Sequence, residues 1–129
     1  GIVSNAQFYT PILMNFYLEN EFEEKEIIKY FDPDLTVYSY KNQIAKPDTS
    51  LFERLVPVLD DKHHIQPDEV LFIGNDMYKD VYPAHKTGFQ TSLFAGDMRS
   101  LRLREDKLEV NGLHPNYIIT QLEQLLKIV

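Results

Sequence analysis

The residues best equipped for chemistry are two aspartates, Asp76 and Asp80, with Asn75 beside the first. Two carboxylates and an amide carbonyl are hard oxygen donors, a set that suits Mg²⁺. They follow directly on Val70-Leu71-Phe72-Ile73, a continuous apolar run stopped by Gly74, which reads as a parallel strand buried on both faces. A strand that releases acidic side chains at its carboxyl end puts them where open α/β sheets hold ligands. A plainer reading is also open: Asp76 caps the helix that starts at Met77, and Asp80 lies on its solvated face. Ser4-Asn5 and Lys46-Pro47 share the same form, a strand end or loop followed by polar groups. In a parallel sheet such ends meet at one edge. There Ser4 and Lys46 would hold phosphoryl oxygens, while Asp76 and Asp80 hold Mg²⁺. Taken singly, Ser4 also reads as a strand-end cap and Lys46 as a solvated loop lysine.

The elements that must position these groups alternate between strand and helix. Gly1 to Val3 is a short strand, and Thr10 to Leu18 a helix with Pro11 in its first turn and an inward stripe of Ile12, Leu13, Phe16 and Tyr17. Glu24 to Phe31 is a second short helix, stopped by Asp32-Pro33-Asp34. Leu35 to Tyr40 is a strand, and Asp48 or Thr49 caps a helix whose inward face is Leu51, Phe52, Leu55, Val56 and Leu59. Met77 to Lys86 is a helix closed by Gly88, and Phe89 to Phe94 the next strand. Met98 to Lys107 reads as a short basic surface helix. Tyr117 to Ile119 is a brief strand, and Thr120 caps a closing helix with Leu122, Leu125 and Leu126 inward. This alternation predicts an α/β fold with a parallel, helix-covered sheet.

The chain's 129 residues allow one domain, or part of one, and 43% hydrophobic residues place it among globular proteins. A net charge of −7 argues against a general nucleic-acid or anionic-membrane binder, and no apolar run is long enough to span a membrane. The absence of cysteine excludes disulfides, zinc-thiolate sites and a cysteine nucleophile, and suits a reducing, cytoplasmic setting.

GIVSNAQ, then IAKPDTSLFE, then VLFIGNDMYKDVYPAHKTGFQTSLFAGD resemble motifs two, three and four of the haloacid-dehalogenase-like (HAD) hydrolase superfamily. The three stand in the family's order and cover roughly Gly1 to Asp97. The resemblance implies a Rossmann-like fold and Mg²⁺-dependent transfer of a phosphoryl group through an aspartyl-phosphate. It implies that Ser4 binds the phosphoryl group, with Asn5 adding a hydrogen bond. Lys46 neutralises charge on the nucleophile and phosphoryl oxygens, and Asp76 and Asp80 hold the metal. In many members an aspartate stands directly after the motif-four glycine, where this chain has Asn75. Either Asn75 is then a neutral ligand, or, in the preferred GNDxxxD reading, Asp76 is the first acid.

Motif one, a strand ending in DxD that carries the nucleophile, has no counterpart before Ser4. Asp32-Pro33-Asp34 has the letters but follows a helical pattern and reads as a turn. The expectation is therefore that residues 1–129 form the carboxy-terminal part of a HAD-like core domain, preceded by a nucleophile-bearing strand. Without that strand, turnover is not expected, and two unpaired sheet edges would invite self-association. The substrate class implied is a small phosphate ester, its identity set by cap segments inserted after motif one. Glu19 to Asp34 is too short to be a large cap. A non-catalytic phosphate- or metal-binding regulatory domain is the alternative, and a receiver-like signalling domain ranks third. His63-His64 reads as solvated histidines. Arg99, Arg102 and Arg104 read as a solvated face with Glu105 and Asp106 as partners, and Phe8 and Tyr9 as core or active-site mouth.

Overall fold

A computed structural model describes residues 1–22 and 30–129 of the chain. β1 (Ile2–Ser4) pairs in parallel with β2 (Thr36–Tyr38), Val3 lying opposite Val37. A second parallel sheet has the order β3 (Leu71–Gly74), β4 (Gln90–Phe94), β5 (Tyr117–Ile119). Among the described residues, β1 and β3 are hydrogen-bonded to a strand on one side only.

Strand alternation sends Val3, Val37 and Phe72 to one face of these sheets. β2 runs straight into α2 (Ser39–Asn42), and that face is covered by α3 (Ser50–Glu53), α4 (Leu55–Val58) and α5 (Tyr82–Lys86). Leu51, Phe52, Leu55, Leu59, Ala84 and Phe89 pack there with Val3 in one cluster, and Phe52 meets Phe72 edge to face at 4.8 Å. Burying each large side chain contributes about 1.5–3 kcal/mol. Met77, Val81, Leu93 and Val110 extend the apolar layer as a second cluster. The helical stretch after β3 opens with a wide turn, Met77–Val81, and ends as expected at Gly88, which takes φ +92°.

The opposite face carries α1 (Thr10–Phe22) beside Ile2, Thr36 and Tyr38. Here the expected inward stripe is not inward: Ile12 is 64%, Phe16 58% and Tyr17 61% exposed, and Leu13 is exposed too. The helix is apolar on nearly every side, so its pattern does not select one face. Phe8 and Tyr9 are likewise exposed rather than in the core. β3 is not buried on both faces, because Ile73, which points away from the Phe72 side, is also exposed.

Three further expectations need correction or restriction. The helix expected over Glu24 to Phe31 lies outside the described residues except for Tyr30 and Phe31, which lie in a turn. Met98 to Lys107 is not a helix: a turn at Asp97 (Ser100 and Leu101 N–H to its carbonyl) leads into a single parallel bridge, Arg102 beside Asp76. The closing segment is a 3₁₀ helix, Leu122–Lys127, capped by Gln121 and Gln124 rather than by Thr120. Its three-residue period keeps Leu122 and Leu125 in line but turns Leu126 off their face, and Leu122 and Leu126 are exposed. Asp32-Pro33-Asp34 is a turn, with the Asp32 carboxylate accepting the Asp34 N–H.

Candidate active site

Lys46 is held before its ammonium does anything. The Asn5 amide brackets its backbone, Oδ1 accepting the Lys46 N–H at 2.7 Å and Nδ2 donating to the Lys46 carbonyl at 3.0 Å. The side chain then crosses from the β1 sheet to the β3 sheet. Its Nζ donates to the Val3 carbonyl at 3.0 Å and to Asp80 Oδ1 at 2.5 Å, and lies 5.7 Å from the Phe72 ring centre. With Lys46 and Asp80 side chains only 11% and 8% exposed, neither the solvated-lysine nor the solvated-aspartate reading describes them. A charge-assisted bond this sheltered is strong, and either partner alone would be left as a costly buried charge.

Asp80 reaches this point because the wide turn after Asp76 folds it back over the end of β3. Its Oδ2 accepts the backbone N–H groups of Asn75 and Asp76, both at 3.1 Å. Gly74 makes the fold-back possible: a Cβ there would fall inside the Asp80 side chain. Ser4 ends β1, half-buried, one residue beyond the carbonyl that Lys46 grips.

Asp76 is buried and has two sets of partners. Oδ1 accepts the N–H groups of Tyr78 and Lys79, both at 3.0 Å, so the capping reading holds for this oxygen. Oδ2 accepts from Arg104, Nε at 3.0 Å and Nη2 at 2.7 Å. Burial alone would raise the Asp76 pKa. The Arg104 hydrogen bond, the two amides and the Arg104 charge outweigh it and hold the carboxyl below the usual range. The Asn75 side chain turns the other way, Nδ2 donating to the Ser100 carbonyl at 2.6 Å.

Of the sequence-predicted residues, Asn5, Lys46 and Asp80 are brought together, with the Asp76 N–H on Asp80; Ser4 lies at the end of β1, and Asn75 turns to Ser100. Asn5 acts on the Lys46 backbone, and the Val3 carbonyl joins the site. Arg104 is not on a solvated face but on Asp76, while Asp106 pairs with Lys107. Nothing local in the sequence signals a contact between residues so far apart. His63 pairs with Asp32 at 3.1 Å, and among the described residues no group of three or more His, Cys, Asp or Glu side chains is placed to hold a metal. The donors at the end of β3 nonetheless fit a hard dication. Asp76 and Asp80 project from one short turn, and each carboxylate is paired with a cationic side chain that a metal ion would have to displace or share the oxygen with. Asp76, Asp80 and the Asn75 amide oxygen are the candidates to hold it.

Solved structures share the fold. The fold is similar to that of a HAD phosphatase from Thermococcus onnurineus, with a TM-score of 0.65 and 20% identity over 99% of this chain and 48% of that one. It is also similar to a haloacid dehalogenase-like protein of unknown function from Agrobacterium tumefaciens strain C58, with a TM-score of 0.62 and 17% identity over 97% of this chain and 50% of that one. In sequence the chain is 26% identical over 87 residues to the glyceraldehyde 3-phosphate phosphatase of Pyrococcus furiosus, covering 67% of this chain. The chain spans about a third (32%) of that curated relative's length. Residues 43–125 match the profile of the HAD-hydrolase-like family, and the chain belongs to that family.

Proposed function

We propose that residues 1–129 are the carboxy-terminal part of the core domain of a cytoplasmic, Mg²⁺-dependent phosphohydrolase that works through an aspartyl-phosphate. The observation that carries this is the Lys46 ammonium, fixed between the end of β1 and Asp80. A preorganised cation in a sheltered site stabilises phosphoryl oxygens as charge develops on them, without reorganising at the moment of reaction. In this reading Ser4 donates its hydroxyl to the phosphoryl group. Asn5 positions Lys46 and keeps one amide N–H for the same group. Asp80 orients Lys46 and, with Asp76 and the Asn75 amide oxygen, holds the cation. Bound Mg²⁺ would supply further charge neutralisation on the phosphate.

The nucleophile-bearing strand belongs, in this proposal, between β1 and β3. In its support, each of those strands is paired on one side only among the described residues. Left open, the same edges would drive self-association of the isolated chain. The substrate proposed is a small phosphate ester, and glyceraldehyde 3-phosphate, the ester in the Pyrococcus relative's name, is the first to test.

The test is phosphate release by the full protein with Mg²⁺, for the wild type, Lys46→Ala and Asp80→Asn. Both variants are expected to lose at least about 10²–10³-fold in kcat/KM, the range for deleting one preorganised electrostatic contact. Near-normal turnover in either overturns the site assignment. A wild type that binds phosphate or Mg²⁺ without turnover favours a regulatory domain instead.

A further inference from the structure

The segment after β4 is stitched onto the motif-four turn. Arg102 N–H donates to the Asn75 carbonyl at 2.9 Å, Met77 N–H to the Arg102 carbonyl at 2.8 Å, and Asn75 Nδ2 to the Ser100 carbonyl at 2.6 Å. The last stitch is Arg104, which adopts φ +57° and places two guanidinium donors on one oxygen of Asp76. That backbone region is rarely used by L-residues away from glycine and asparagine.

Asp76 has only one oxygen to offer a cation. Oδ1 is engaged by two backbone amides that a bound metal could not replace, which leaves Oδ2, and Oδ2 is where Arg104 sits. Mg²⁺ binds oxygen at about 2.0–2.1 Å. A dication that close to the oxygen would also face a guanidinium at hydrogen-bond distance, and the like charges repel. Among the described residues, Asp80 Oδ1 accepts a single hydrogen bond, from Lys46, and keeps a lone pair for a cation, so only Arg104, with two donors on Asp76 Oδ2, has to leave. Lys46 is 11% exposed and also held by the Val3 carbonyl, whereas the Arg104 side chain is 32% exposed and has solvent to turn into.

We propose that Arg104 is a positioning residue that competes with the divalent cation for Asp76: it latches the carboxylate and the end of the 97–104 segment in the cation-free protein and is displaced when the cation binds. This rests on the reading of Asp76 as a cation ligand. Cation loading thereby frees the Arg104 side chain at the rim of the site, while the backbone stitches through Arg102 remain.

The experiment is Mn²⁺ binding to the full protein, followed by electron paramagnetic resonance and calorimetry, for wild type, Arg104→Gln, Arg104→Lys, Arg102→Gln and Asp80→Asn. Arg102→Gln removes the same charge from the same segment, but the Arg102 guanidinium donates to the Arg99 and Leu101 carbonyls and not to Asp76. Arg104→Gln is expected to bind Mn²⁺ on the order of tenfold more tightly, the loss of one charged pair's competition. Arg104→Lys should fall between it and the wild type, and Arg102→Gln should stay near the wild type. In the wild type, the nitrogen-15 resonance of Arg104 Nε–H should move with the same Mg²⁺ midpoint as binding. An equal gain in Arg102→Gln and Arg104→Gln, or no gain in Arg104→Gln and Arg104→Lys while Asp80→Asn abolishes binding, overturns the latch and leaves the cation site standing. Absence of binding in both wild type and Arg104→Gln overturns the cation reading and the latch together.

Discussion

The two faces of the sheets are finished to different degrees. On the face of α3, α4 and α5, Leu51 and Phe52 are fully buried and one cluster ties Val3 of β1 to Phe89 ahead of β4. On the face of α1, a cleft of about 570 Å³ opens between the helix and β1–β2, lined by Ile2, Phe8, Ile12, Tyr38, Tyr40 and Lys41 among others. Phe16 and Tyr17 of α1 stand in solvent. Among the described residues one face has found its partners, and the other presents surface of the kind that usually marks a contact with more protein. The candidate site lies at the seam, where Lys46 reaches from the Val3 carbonyl to Asp80 beside edges of β1 and β3 that carry no partner strand among the described residues.

The sharpest way to break this comparison is at the sealed face. Phe52→Ala should cost about 3–5 kcal/mol in denaturant unfolding and lower the stability of both sheets together, because Phe52 touches Phe72 and Phe89 in a cluster that includes Val3. Two separate transitions would mean that the sheets do not share a core. Next comes the seam. Lys46→Ala leaves Asp80 without its counter-charge and should cost about 3 kcal/mol. Adding Asp80→Asn should recover part of it, and a strictly additive double mutant would show the pair to be uncoupled.

A smaller effect is expected at high pH on the open face. Burial, aided by nearby Tyr40, raises the Tyr38 pKa, so folding favours the neutral phenol. Its contribution is complete below the usual tyrosine value of about 10 and is lost as pH rises through the higher folded-state value. Tyr38→Phe should flatten that alkaline fall in stability, and an unchanged profile would remove Tyr38 as its source. The smallest change belongs to α1. Phe16→Lys should leave stability within about 0.5 kcal/mol, as for exposed sites generally, and weaken any self-association seen by sedimentation. A large loss of stability would mean that the α1 stripe is core after all.

The strands were legible from short apolar or β-branched stretches bounded by turn residues: Gln90–Phe94 and Tyr117–Ile119 lie within or on the predicted segments, and Leu71–Gly74 runs one residue past its own. The site was legible because polar residues at strand ends have few alternatives to a shared edge, which is how Lys46 and Asp80 meet. What stayed hidden was orientation and distance. Ile12 and Phe16 read as inward because amphipathic logic presumes that a covering layer is present. Arg104 read as surface because its neighbours Glu105 and Asp106 offered nearer partners than Asp76. The helix expected at 98–107 gave way to backbone bonds with the motif-four turn, which no local periodicity records.

The Asn5–Lys46 bracket makes covalent ageing visible to catalysis. Deamidation of Asn5 would leave the acceptor side of the bracket intact but put a carboxylate oxygen where Nδ2 now donates to the Lys46 carbonyl. Oxygen would then face oxygen, and the loop would be pushed to carry Lys46 away from Asp80, a change of one negative charge that isoelectric focusing resolves. If the proposed site is right, a stored preparation would lose activity in step with that one side chain's hydrolysis, well before it lost its fold.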